Sequence, residues 1–181
     1  MNTAAHTTAN TVATPGSAPE WLRELATAKT AYEEQWGWPV SVDVAQRRLI
    51  VPVGQALDAV TTPAPLGKCI QAALRIMMLA GPVVASPGGQ WLTFPTEPAT
   101  GPSPVLHSTL HRLKVHPIPF GAHAVIPTHL DGTGTWQWAH LPPPRRPLPP
   151  WAVVIGAARR IATTPPPAVA DNRTDRPSPA G

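Results

Sequence analysis

The sequence predicts an α+β fold in which a mixed or antiparallel β-sheet is covered by helices. Two observations carry this. Hydrophobic periodicity changes along the chain in the order helix, two strands, helix, hairpin, helix, three strands, helix, without the regular alternation that a doubly wound parallel sheet requires. Within that order, Gly81–Phe94 forms a self-contained hairpin. Pro82–Ala85 is short, apolar and β-branched, Ser86-Pro87-Gly88-Gly89 is dense in turn formers, and Gln90–Phe94 is again strand-like.

The elements follow in order. Ser17 stands three residues before Glu20 with Pro19 between, a capping-box spacing that predicts a helix to about Gln35 with Trp21, Leu25, Ala28 and Tyr32 on one face. Gly37 and Pro39 end it, because one accepts the left-handed terminal position and the other forbids continuation. Val40, Val42 and Val44 alternate as a half-buried strand, and Arg47–Val53 is a second strand that Pro52 marks as an edge or an end. Gly54–Gly67 reads as loop with a helical turn around Ala56–Val60. From Leu66 or Gly67 to Leu79, Ile70, Ala73, Leu74, Met77 and Met78 recur at helical spacing, with Cys69 expected as a small buried residue.

After the hairpin, Ser103-Pro104 opens a helix that turns Leu106, Leu110 and Leu113 inward. Strands are predicted over Val115–Ile118 and Ala122–Pro127, and the Asp131-Gly132 turn predicts a hairpin into a strand at Thr135–Ala139, with Trp136 and Trp138 on one face. Leu141–Pro150 is an extended proline-rich connector, and Trp151–Ile161 is the last helix, with Trp151, Val154, Ile155 and Ala158 toward the core.

The 181 residues suffice for one domain with a hydrophobic core, and the 26 prolines gather at its ends and in its loops. Residues 1–18 and 163–181 are expected as disordered tails around a domain over 19–162. No basic leader precedes an apolar run, and no window approaches the about 18 apolar residues that span a bilayer, so a cytoplasmic protein without a membrane partner is expected. The Ala- and Pro-rich composition suggests a GC-rich bacterial genome.

The net charge of +4 has the sign of a binder of anionic partners, and the arginine pairs Arg47-Arg48 and Arg145-Arg146 are candidate nucleic-acid contacts. Gly88-Gly89 leaves the backbone bare and free to take positive φ, which suits a tight turn and also the close approach of a phosphate. His107 and His111, four apart on one helix, stand near His116 at a spacing that suits a shared metal. No acid or cysteine joins them, so neither a metal nor another cofactor is expected.

In order, Trp36-Gly37-Trp38-Pro39-Val40, Ser86-Pro87-Gly88-Gly89-Gln90-Trp91-Leu92-Thr93-Phe94, Gly121-Ala122-His123-Ala124-Val125-Ile126-Pro127, Trp136-Gln137-Trp138 and Leu148-Pro149-Pro150-Trp151 resemble the N-terminal domain of bifunctional DNA primase/polymerases, the Prim-Pol group of the archaeo-eukaryotic primase superfamily. The resemblance covers about residues 31–161 and implies a primase-like sheet. It also implies a hairpin that contacts the incoming nucleotide, here Ser86, Gly88, Gly89, Gln90 and Trp91. The family holds two metals with an Asp-x-Asp strand and a further Asp, because acids at i and i+2 of a strand converge on one spot.

The chain departs at each of those positions. Arg48–Gln55, the counterpart of the acidic strand, has no acid, Trp91 replaces the hairpin histidine, His116 replaces the further Asp, and Asp43 is a lone acid on the first strand. The expectation is therefore a non-catalytic primase/polymerase-like domain that binds nucleic acid or a nucleotide weakly, with Trp91, Trp136 and Trp138 as base-stacking candidates. The alternatives are a protein-interaction module on the degenerate fold, an active primase/polymerase, and a hydrolase built on the histidines.

Overall fold

A computed structural model describes residues 18–99, 108–130, 134–141, 144 and 146–163. Among the described residues four helices and eight strands build the α+β fold, and these strands pair antiparallel. The strands form two sheets. In the smaller, β1 (Ser41–Asp43), β2 (Arg48–Pro52) and β7 (His123–Ile126) lie in that order. In the larger the order is β6 (His116–Pro117), β3 (Asp58–Pro63), β5 (Trp91–Thr96), β4 (Val83–Ala85) and β8 (Gln137–His140).

Helix α1 (Glu20–Trp36) packs on the small sheet, where Leu25 and Tyr32 join Trp38, Val40, Leu49, Val51 and Ile126 in one core. It begins at Pro19 without a side-chain cap, while Ser17 lies outside the described residues, so Pro19 occupies the N-cap rather than the first turn of a capping box. It ends as expected at Gly37, whose φ of 69° lets its N–H reach the carbonyl of Glu33. Strand β1 stops one residue short of Val44, which is 58 % exposed in the turn to β2. Pro52 closes β2 at its end, where the missing N–H costs no central ladder bond.

Helices α2 (Ala64–Ile76) and α4 (Trp151–Thr163) cover one face of the large sheet. Ala64, Gly67, Ile70 and Leu74 turn inward from α2 to meet Val60, Leu92 and Phe94, with Val154, Ile155, Ala157 and Ala158 of α4. Gly67 is required there: a Cβ would stand 2.8 Å from the Thr62 hydroxyl and 2.9 Å from Leu92. Cys69 is exposed rather than buried, because it lies off the face that Gly67, Ile70 and Leu74 present to the sheet. Met78 likewise leaves the core: the helix ends at Ile76, Met78 takes a φ of 57°, and its side chain is 81 % exposed.

The stretch expected as loop holds the largest correction. Asp58–Pro63 is not a helical turn but β3, a central strand paired with β5 on one side and β6 on the other. Its β-branched run Val60-Thr61-Thr62 fits a pleated position buried on one face. The Asp-Gly hairpin expected between β7 and β8 is also overturned, since β7 pairs with β2 and β8 with β4. The segment between them crosses from one sheet to the other. Residues 131–133 of it lie outside the described residues.

Tyr32 ties these parts together. Its buried hydroxyl donates to the carbonyl of Pro127 at 2.8 Å and accepts from the indole N–H of Trp138 at 2.8 Å, joining α1, the end of β7 and strand β8. Its ring stacks on Trp38, and burial pushes the phenol well above its ordinary pKa, an effect the Trp138 N–H partly offsets. Among the described residues no helix is long and apolar enough to cross a membrane.

Candidate functional site

The hairpin expected at Gly81–Phe94 is present, formed by β4 and β5. Ser86-Pro87-Gly88-Gly89 makes its turn: the Gly89 N–H donates to Ser86 O at 2.8 Å, and Gly88 has φ 73° and ψ 3°. That is the geometry of a type II turn, with Pro and Gly at its central positions. Ser86 closes the loop, accepting the Trp91 N–H on its hydroxyl at 3.1 Å while its own N–H donates to Trp91 O. Gly88 and Gly89 both hold positive φ and are exposed, and a Cβ at either would meet nothing within 4 Å. Gln90 is exposed at the tip and its carbonyl accepts the Ala64 N–H, anchoring the turn to the start of α2.

Strand alternation then decides which side chains share a face. Val60, Thr62, Leu92 and Phe94 face α2 and α4, so Thr61, Pro63, Trp91 and Thr93 lie on the opposite face. His116, opposite Thr61, joins them. The Thr61 and Thr93 hydroxyls share a hydrogen bond at 3.1 Å, and the half-buried Trp91 ring lies 6.3 Å from the exposed His116 imidazole. His111, exposed on α3 (Ser108–Arg112), meets His116 edge-on at 5.9 Å, with Arg112 and Lys114 exposed in the same segment. An indole, two imidazoles and a bare glycine turn thus gather on one side of the large sheet, with Arg112 and Lys114 close in sequence to the imidazoles.

This arrangement can stack a base and meet phosphate oxygens, but its donors do not fit a two-metal centre. The strand beside the hairpin is β3, not the Arg48–Gln55 segment, whose β2 lies in the other sheet. The one acid of β3, Asp58, falls on the helix-covered face with Val60 and Thr62, and its carboxylate accepts the Ala99 N–H at 2.7 Å. Among the described residues no three His, Cys, Asp or Glu side chains stand where a metal would be held. His107 lies outside the described residues, so the expected pair with His111 is not described.

No protein-family model, curated protein or solved structure matches the chain.

The other candidate contacts are scattered. Arg47 and Arg48 sit at the β1–β2 turn of the small sheet. Asp43 organises that turn: one carboxylate oxygen accepts the Gln46 N–H at 3.1 Å and the other the Arg48 Nε at 3.0 Å. The Gln46 bond, aided by Arg48, holds the Asp43 carboxyl below its ordinary pKa. Arg146 donates to the carbonyl of Met78 at 3.0 Å, and Arg145 lies outside the described residues. Trp138 belongs to the aromatic core with Tyr32, Trp36 and Trp38 and is no platform for a base. Trp136 precedes β8 and lines a cavity on the small-sheet side. Thr61 was hidden within the stretch expected as loop, and its signal was the β-branched run between Ala59 and Pro63.

Proposed function

We propose that the chain is a non-catalytic DNA primase/polymerase-like domain whose hairpin face binds single-stranded nucleic acid or a nucleotide weakly. The observation that carries this reading is Trp91, half-buried beside His116 on the face of the large sheet not covered by α2 and α4, next to two exposed glycines at positive φ. Stacking on the indole tolerates any base, and the Gly88 amide, which the turn hydrogen bond from Gly89 to Ser86 leaves outside, suits a phosphate oxygen without a metal, with Arg112 and Lys114 as exposed cations on the neighbouring segment. Catalysis is excluded from the proposal because metal-assisted phosphoryl transfer needs converging carboxylates, and the acid on β3 faces away from this site.

Anisotropy of a labelled single-stranded oligonucleotide, titrated with the protein at low and at physiological salt, tests the reading. Binding should weaken as salt rises, because phosphate contacts release counterions. Trp91→Ala should weaken it by about tenfold, the worth of one stacked base. Absence of binding at low salt removes the proposal.

A second reading, the protein-interaction module, is favoured by a different observation. Ile76 and Met78 are 84 % and 81 % exposed at the end of α2, beside a groove of about 230 Å3 between α2 and α4 lined by Ala73, Met77 and Ile161. A stable complex abolished by Ile76→Asp, with Trp91→Ala unaffected, would move the function to this face.

A further inference from the structure

A cavity of about 330 Å3, sharing no lining residue with the hairpin face, lies between α1, the β1–β2 turn, the end of β7 and the start of β8. Its volume falls at the low end of small-molecule sites. Two indoles, Trp21 and Trp136, line it, together with Arg47, Arg48, Glu24 and His129. We propose that this cavity binds a small planar aromatic anion, a ring carrying one carboxylate or phosphate group.

The argument rests on Arg47. Its guanidinium lies over the Trp21 ring, 5.0 Å from the centroid, which holds the cation in place against an apolar wall. Arg48 beside it is already neutralised by Asp43 at 3.0 Å. Arg47 has no ion pair among the described residues, so it is the cation left for a ligand. Glu24, three residues from Trp21 on the same wall of α1, opposes a second negative charge and limits the preferred ligand to one anionic group. With Arg47 over the Trp21 ring, Trp136 is the indole left to favour a ring, and the single cation selects its charge.

The backbone supplies an independent reason to assign Arg47 a role. Its φ is 49°, a left-handed position that glycine occupies without cost and that disfavours a long L side chain. The turn itself is closed by Asp43 through Gln46 and Arg48 and does not need the Arg47 side chain. A non-glycine residue at a positive φ, with its side chain lining a cavity, fits a binding function. This inference does not depend on the hairpin-face reading.

The test is calorimetric titration of the full chain with adenosine monophosphate, 1-naphthoate and inorganic phosphate. Both ring-bearing anions should bind saturably, phosphate alone at least about tenfold more weakly for want of stacking. Arg47→Gly should weaken ring-bearing ligands by about tenfold or more, the loss of one charge-assisted contact, while melting at the wild-type temperature because glycine suits the turn. Should Arg47→Gly melt early, Arg47→Asn also tolerates the left-handed backbone and carries the same comparison. Trp91→Ala should leave this binding unchanged. The proposal is overturned if neither aromatic anion saturates by about 10 mM, if phosphate alone binds as well, if both Arg47 variants bind like wild type, or if Trp91→Ala abolishes binding.

Discussion

Replacing Tyr32 by phenylalanine removes one oxygen atom and two hydrogen bonds at the junction of α1, β7 and β8. The ring remains, so its stacking on Trp38 and its packing beside Leu25 are kept and the added void is small. The cost comes from the partners left behind: the carbonyl of the buried Pro127 and the indole N–H of the half-buried Trp138. Each such orphan costs about 1–3 kcal/mol, and with Trp138 at the lower end the sum is about 2–4 kcal/mol. That is a large part of the about 5–15 kcal/mol that holds a domain folded. Urea denaturation at neutral pH should therefore show the midpoint falling by about 1–2 M with an unchanged slope.

The same residue makes stability pH-dependent. Its folded pKa is raised, so the folded state holds the phenolic proton where the unfolded chain has released it. The contribution is complete below the unfolded value of about 10 and is lost progressively as pH rises above it. Wild type should lose stability between neutral pH and about pH 11 more steeply than Tyr32→Phe, which lacks the group. A variant with the wild-type urea midpoint at neutral pH would refute the bridging role of the hydroxyl.

Further predictions follow from single contacts. Gly81→Ala should destabilise the domain by about 1–3 kcal/mol, since its Cβ would stand 2.3 Å from the Pro149 ring, whose carbonyl is held by the Glu97 N–H at 3.0 Å; thermal melting checks it. Gly67→Ala should cost a similar amount, about 1–3 kcal/mol, by pushing α2 off β3 and β5, read by the same melt. Asp43→Asn should loosen the β1–β2 turn, seen as faster amide exchange at Gln46. In wild type, Asp43 has a lowered carboxyl pKa, so its contribution is present above the ordinary carboxylate range and is lost as pH falls through the folded value. Gly88→Ala should strain the hairpin turn at φ 73° by about 1 kcal/mol and, on the proposed function, reduce oligonucleotide binding in the anisotropy titration.

The parts of the fold that were legible before the structure are those written in local chemistry. Gly37 ends α1, Ser86-Pro87-Gly88-Gly89 makes its turn, and Val154, Ile155 and Ala158 of α4 face the core, because each depends only on near neighbours. Strand β3 was missed because Val60-Thr61-Thr62 is short and stands between loop-like residues, and its strand conformation is stabilised by β5 and β6, which are distant in sequence. The apparent Asp-Gly hairpin failed for a related reason: turn chemistry brings a chain round but does not choose which sheet each arm joins.

For the candidate site, residue types came from the chain and their company came from the fold. The glycines, Trp91 and the absence of acids from Arg48–Gln55 were readable along the sequence. That His116 stands beside Trp91 while Asp58 faces the other way depends on the pairing of β3 with β5 and β6, and that Arg47 meets Trp21 depends on α1 packing on the small sheet. Backbone preferences act over a few residues, whereas the face a strand presents and the partner a charge finds are set by register and packing across the whole chain. Local order thus supplied the turns and helix ends, and long-range pairing decided the sites.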